Sequence, residues 1–204
     1  MIVEKQSQLE SKELLAICKV LLESRSLVEE EMFPIINKIL NLYGAEDEQK
    51  LVKEYIANEM HHYVELQHQE KLLDRLWKLE GAVKKRQYVE IRYKKLKNSQ
   101  EVTRRIKPVG IMFSEFYYYL TAFIENIDKE KEFHNPDDMF PTIYRIDRLK
   151  EMKVLEETFY VPYGDRFEEG EFRKRIQFMY GGRLKRIRFK YRGNSVFGTS
   201  TGGN

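Results

Sequence analysis

The spacing of apolar residues changes once along this 204-residue chain, from a helical period to a strand period. In the first part, apolar side chains recur every three to four positions, which is the spacing of one face of a helix. This spacing predicts a first helix after Ser11, a second from about Val28 to Leu42, a third through Leu51 and Met60, and a fourth from about Gln69 to Gln87. The sequence therefore predicts a helical region over residues 1–86.

After Tyr88 the apolar residues alternate with polar ones, which is the pattern of half-buried strands. Four segments show it: YVEIRYKKL, EVTRRIKPVGIMF, EFYYYLTAFIE and TIYRIDRLKEMKVLEE. We expect Pro108 and Gly110 to limit the second strand, because proline has no N–H for a ladder. Several short strands joined by turns are typical of a small antiparallel barrel or sandwich. The fold class predicted is therefore α+β.

The third strand contains three successive tyrosines, which cannot all point into one core because side chains alternate faces along a strand. One face would carry Phe116, Tyr118, Leu120 and Ala122, and the other would carry Tyr117, Tyr119, Thr121 and Phe123. The first set is the better core candidate, since Leu120 and Ala122 have no polar group to satisfy. In the last strand Ile146 is the expected core residue, so Arg145 should point outward.

Charge is unevenly distributed, although the formal net charge is only +3. Residues 1–80 carry a net charge of −6, residues 81–165 carry +2, and residues 166–204 carry +7. Within the middle block, ten basic residues lie between Lys84 and Lys107, against only Glu90 and Glu101. Such polarity is typical of a protein whose basic half contacts phosphate, but a solvated surface gives the same pattern.

The sequence shows no catalytic constellation, so we expect a protein that is not an enzyme and needs no cofactor. His61, His62 and His68 lack the spacing of metal ligands on a helix, and no cysteine pair accompanies them. The single cysteine, Cys18, lies in an apolar helical stripe, where a structural role is expected. No apolar run reaches the roughly 20 residues of a membrane span. We therefore expect a cytoplasmic location.

Four short motifs occur in an order and spacing that resemble a WYL domain: IRY at 91–93, RRIKP at 104–108, YYL at 118–120 and YRIDRL at 144–149. The family is named for the tripeptide Trp-Tyr-Leu, and Tyr118 stands here in place of the tryptophan. The preceding helices resemble the linker of WYL regulators. The segment RFEEGEFRKRIQFMYGGRLKRIRFKY resembles the start of their C-terminal WCX extension. On this basis we divide the chain into a helical linker (1–86), a WYL domain (87–157) and a partial WCX extension (158–204).

The resemblance implies an Sm-like, SH3-type β-barrel that senses a ligand in bacterial transcriptional regulators, and for some members that ligand is single-stranded DNA or RNA. The positions that match the family are Tyr119, Arg104, Arg145 and Arg148, and Tyr117 shares a face with Tyr119. Arginine pairs bidentately with phosphate and aromatic rings stack on bases. We therefore expect a single-stranded nucleic acid or a nucleotide-like ligand on this face.

The winged helix-turn-helix usual in such regulators is not found in this chain, so we expect no operator binding from it alone. Control of DNA binding and transcription would then act through the geometry of a dimer. The basic alternation from Leu184 to Arg192 predicts an edge strand, which favours a homodimer.

Two other functions remain open at the level of sequence. One is a dimerisation or interaction module that binds no nucleic acid and whose basic face is merely solvated. The other is a sensor of a small anionic metabolite, such as a nucleotide second messenger.

Overall fold

The computed structural model describes residues 9–43, 45–66, 69–94, 100–128, 130 and 141–160, and every structural statement below concerns these residues. Four helices come first in the chain: α1 (Ser11–Ser24), α2 (Glu29–Tyr43), α3 (Glu46–His61) and α4 (Leu73–Lys85). Their bounds agree with the predicted helices, except that the fourth begins later than predicted. Gln69, the residue predicted to begin it, has a positive φ of 53° and cannot start a right-handed helix.

The first three helices pack through the apolar faces predicted by their spacing. Leu14, Cys18 and Leu22 of α1 are buried against the rest of the core, as are Val52 and Ile56 of α3. Cys18 is thus a buried structural residue, and burial raises the pKa of its thiol.

Glu31 connects the helical region to the start of α4. Its Oε2 atom accepts a hydrogen bond from the backbone N–H of Leu72 at 2.9 Å, and its Oε1 atom accepts one from Leu73 at 3.0 Å. The first N–H groups of a helix have no partner within the helix, and a carboxylate also complements the positive end of the helix dipole. One side chain of α2 therefore fixes where α4 begins.

Five strands form one antiparallel sheet: β1 (Gln87–Lys94), β2 (Glu101–Ser114), β3 (Tyr117–Ile124), β4 (Thr142–Arg145) and β5 (Leu149–Thr158). Their order across the sheet is β4-β3-β2-β1-β5. The predicted last strand is thus two strands, separated by a 3-10 turn over Ile146–Arg148.

Strand β2 is longer than predicted, because Pro108 and Gly110 do not end it. It continues to Ser114, and its register against β3 shifts between Pro108 and Gly110. A β-bulge of this kind absorbs an extra residue without ending the strand.

The sheet is strongly curved. In a flat five-stranded sheet the two edge strands would lie about 19 Å apart, since neighbouring strands are about 4.8 Å apart. The edge strands β4 and β5 are joined by only the three residues of the 3-10 turn. The backbone from Arg145 to Leu149, four residues later, spans at most about 14 Å. This is shorter than the distance between the edges of a flat sheet, so the sheet must curve. The α+β class and the antiparallel sheet are confirmed. Among the described residues no hydrogen-bonded ladder joins β4 to β5, so the predicted closure into a barrel is not confirmed.

A single hydrophobic cluster runs from the helices into the sheet. From the helices it includes Met32, Ile36 and Leu79, and from the sheet Ile91, Ile106, Leu120 and Ile146. Leu120, Ala122 and Ile146 are fully buried, as their alternation predicted. Within the described ranges, no helix has the length and apolar character needed to cross a membrane.

A candidate ligand-binding face on strands β3 and β4

The pairing of β3 with β4 sorts the tyrosines onto two faces. Leu120 lies directly opposite Tyr144, whereas Tyr119 lies directly opposite Arg145. Directly opposed residues of an antiparallel pair point to the same face. Since Leu120 belongs to the core, Tyr119 and Arg145 share the other side of the sheet, which we call the outer face.

On this face Arg145 is held by two neighbours. Its guanidinium carbon lies 3.5 Å from the centroid of the Tyr117 ring. Its Nε atom donates to Oδ1 of Asp147 at 3.0 Å, and its Nη2 atom donates to Oδ2 at 2.6 Å. The side chains of Arg145 and Asp147 are only 14% and 3% exposed. Arg145 and Asp147 therefore form an ion pair with two hydrogen bonds, which fixes the orientation of the guanidinium.

Tyr119 completes the arrangement. Its ring centroid lies 6.5 Å from that of Tyr117 in an edge-to-face geometry. Although it points away from the core it is only 7% exposed. Burial raises the pKa of its hydroxyl, and the positive charge of Arg145 opposes that shift. We call Tyr117, Tyr119, Arg145 and Asp147 the aromatic–arginine cluster.

The cluster retains capacity for a ligand. A guanidinium has five N–H donors, and Asp147 takes two of those of Arg145. Among the residues that the structure describes, three donors thus remain, both on Nη1 and one on Nη2, in a guanidinium that lies over the Tyr117 ring. Such a group can donate to phosphate or to the edge of a base without first losing conformational freedom.

Arg104 and Arg148, also predicted for the site, lie elsewhere. Arg104 is directly opposite the fully buried Ile91, so it points to the core side of the sheet. There its charge acts on the buried Tyr144, whose pKa is raised chiefly by burial. Arg148 is half-buried in the 3-10 turn, where the two faces of a strand no longer apply. The structure thus brings together Tyr117, Tyr119 and Arg145, and it separates Arg104 from them.

A second group of aromatic and charged residues on the outer face was not predicted. The guanidinium carbon of Arg105 lies 4.1 Å from the centroid of the Tyr88 ring, and Lys107 Nζ lies 5.7 Å from it. Arg105 also forms ion pairs of 2.6 Å with Glu125 and with Glu157. Sequence alternation places Arg105 and Lys107 on one face of β2, but only the register of β2 with β1 and β3 shows which residues they meet.

The described histidines, His61 and His62, do not form part of a metal site among the residues that the structure describes. The rings of His61 and His62 contact each other edge to face, with centroids 4.7 Å apart, at the end of α3. No group of three or more potential metal ligands occurs in the part of the chain that the structure describes. His68 and the segment Leu184–Arg192 lie outside the described residues.

Comparison with known proteins identifies the domain that carries the cluster. Residues 74–154 match the profile of the WYL domain. The chain therefore contains a WYL domain, and the matched residues run from α4 to β5. No curated protein matches the chain.

Solved structures give a weaker likeness. Ten chains match, among them proteasome accessory factor B/C (PafBC) of Arthrobacter aurescens, with 12% sequence identity and a TM-score of 0.33. That match covers 74% of this chain and 21% of the other, so this chain spans about a fifth of that protein's length. A likeness of this degree supports no conclusion about fold or function.

Proposed function

We propose that this chain is the ligand-sensing module of a WYL-type bacterial transcriptional regulator, and that it binds single-stranded nucleic acid or a nucleotide-like ligand on the outer face of its curved, Sm-like sheet. It would act in the cytoplasm, without catalysis, and would control DNA binding through dimer geometry. The observation that carries the proposal is Arg145, which is directly opposite Tyr119 and whose guanidinium lies over the Tyr117 ring and is oriented by Asp147. Neighbouring rings and a preset arginine are what stacked bases and a phosphate require.

The test is fluorescence anisotropy with short labelled single-stranded DNA and RNA, from about 50 to about 200 mM salt. We expect the wild type to bind and its affinity to fall with salt, because each phosphate contact releases counterions. The double variant Arg145→Ala/Asp147→Ala should lose most of this binding.

The double variant keeps the net charge unchanged, so a loss of binding cannot come from weaker long-range attraction. A control variant, Lys153→Gln, removes one exposed charge from β5 on the same face and should bind almost as the wild type does. Equal binding by the wild type and the double variant would move the site away from the cluster. No binding at the lowest salt would reject single-stranded nucleic acid as the ligand, and would leave a small-molecule sensor or a dimerisation module.

A second candidate function, a dimerisation or interaction module, is favoured by exposed apolar side chains on the helices. Trp77 is 83% exposed and Leu73, one turn earlier on α4, is 41% exposed, while Val20 and Leu42 are exposed on α1 and α2. Sedimentation analysis that shows a dimer for the wild type and a monomer for Trp77→Lys, together with no nucleic-acid binding by either, would favour this function.

A further inference from the structure

The outer face of β3 carries a second exposed ring beyond the aromatic–arginine cluster. Phe123 lies four residues after Tyr119 on the same face and is 37% exposed. It is directly opposite Lys107 of β2. An aromatic residue and a cation thus stand side by side at the far end of β3, as Tyr119 and Arg145 do at the near end.

The ammonium group of Lys107 is the available cation at this end. It lies over the Tyr88 ring and makes no ion pair with any residue that the structure describes. Arg105, its neighbour on the same face, is bound to the carboxylates of Glu125 and Glu157. Arg105 thus shares one positive charge between two carboxylates, while Lys107 is the cation of this group that has no carboxylate partner among the described residues.

Between the two ends lie Thr121 and the residues opposite it on the neighbouring strands, Gly110 of β2 and Ile143 of β4. Thr121 lies opposite Gly110, and its hydroxyl donates to the Gly110 carbonyl at 3.0 Å. Thr121 is buried, Gly110 has no side chain, and Ile143, directly opposite Thr121 on β4, is half-buried. The result is a lane along β3 with rings and cations at both ends.

The length of this lane selects its ligand. Four residues of a strand span about 14 Å from Tyr119 to Phe123. Stacked nucleotides of one strand rise about 3.4 Å each, so the two ends are several nucleotides apart when the bases stack and fewer when they splay. A single nucleotide cannot reach both ends, whereas an oligomer can.

We propose that Phe123 and Lys107 form a second subsite for the same strand, so that the ligand is an oligonucleotide rather than a mononucleotide. Phe123 would stack on a base and Lys107 would contact a phosphate. This inference rests on the proposed function, since it extends the same site along the sheet.

The experiment is displacement of fluorescein-labelled hexathymidylate by thymidine monophosphate and by oligothymidylates of increasing length. We expect the wild-type affinity to rise with length until the lane is filled. Phe123→Ala should weaken hexathymidylate binding by about 5- to 150-fold, the range that one stacked base carries. Lys107→Gln should reduce the slope of log K against log salt concentration by about 0.7, the contribution of one phosphate contact on a single strand. Neither substitution should change the affinity for the monophosphate.

The controls use residues of similar exposure away from the lane. Phe113→Ala removes a ring that is 46% exposed but lies on the opposite face of the sheet, paired with Tyr118. Lys153→Gln removes a charge from β5. Neither should affect binding, and circular dichroism checks that all variants are folded.

The outcomes separate the two proposals. If hexathymidylate binding is lost in Arg145→Ala/Asp147→Ala but unchanged in both Phe123→Ala and Lys107→Gln, the near-end site stands and the second subsite is rejected. If the monophosphate competes as well as the hexamer, the oligonucleotide inference is wrong and a small-anion sensor replaces it. If no oligonucleotide binds at all, the nucleic-acid form of the proposed function fails and the second subsite fails with it.

Discussion

Asp147→Ala is expected to lower the free energy of unfolding by about 3 kcal/mol, the lower end of the range for removing one partner of a buried ion pair. The carboxylate of Asp147 is 3% exposed and accepts two hydrogen bonds from Arg145. Without it, the Arg145 side chain, which is only 14% exposed, keeps its charge but loses the carboxylate that pairs with it. Equilibrium urea denaturation, followed by circular dichroism, measures the loss.

The double variant Arg145→Ala/Asp147→Ala is the matched control for this prediction. Because the double variant leaves no unpaired charge behind, its free energy of unfolding should fall less than that of Asp147→Ala. A double-mutant cycle isolates that difference. Surface substitutions usually change the free energy of unfolding by no more than about 0.5 kcal/mol. If Asp147→Ala changes it by no more than this, the ion pair is not formed as described and the orientation of Arg145 is not fixed.

Leu120→Ala should lower the free energy of unfolding by about 2–5 kcal/mol, because the substitution leaves a cavity in a fully packed core. Leu120 is completely buried in the cluster that joins helices and sheet. The prediction also tests which face of β3 is the inner one, and the position of the ligand-binding face depends on that assignment.

Phe116→Ala provides the comparison for Leu120→Ala. It removes a larger side chain, but Phe116 is 46% exposed in the turn before β3. We therefore expect a smaller loss of stability than for Leu120→Ala, again by urea denaturation. A larger loss for Phe116→Ala would contradict the inner-face assignment of Leu120.

Local periodicity predicts the four helices and the inward direction of Leu120 and Ala122, although Phe116, assigned to the same face, lies 46% exposed in the turn before β3. Leu120 and Ala122 were assigned to the core because alternation is a property of one strand, and the structure buries both. The same reasoning directed Arg145 outward, where the structure places it opposite Tyr119. Predictions of this kind need no knowledge of neighbouring strands.

Predictions that depended on strand register or turns were less accurate. Arg104 was grouped with Arg145, yet its partner on β1 is the buried Ile91, and only the β1–β2 register reveals this. The sequence predicts one continuous strand through the 3-10 turn at Ile146–Arg148, because apolar and polar residues alternate on both sides of it. Lys107 and Phe123 meet through the β2–β3 pairing, whose bulge at Pro108–Gly110 sets which residues oppose each other. Sequence alternation contains no information about such a shift.

The most direct test of the central claim is photo-crosslinking of the wild-type chain to a short oligothymidylate that carries 5-iodouracil, followed by mass spectrometry of the crosslinked peptides. This base analogue reacts with aromatic side chains on which it stacks. We predict crosslinks at Tyr117, Tyr119 or Phe123, in competition with unlabelled oligonucleotide. Crosslinks confined to the basic segment from Leu184 to Arg192, with none on β3, would contradict the assignment of ligand binding to the outer face of the WYL domain.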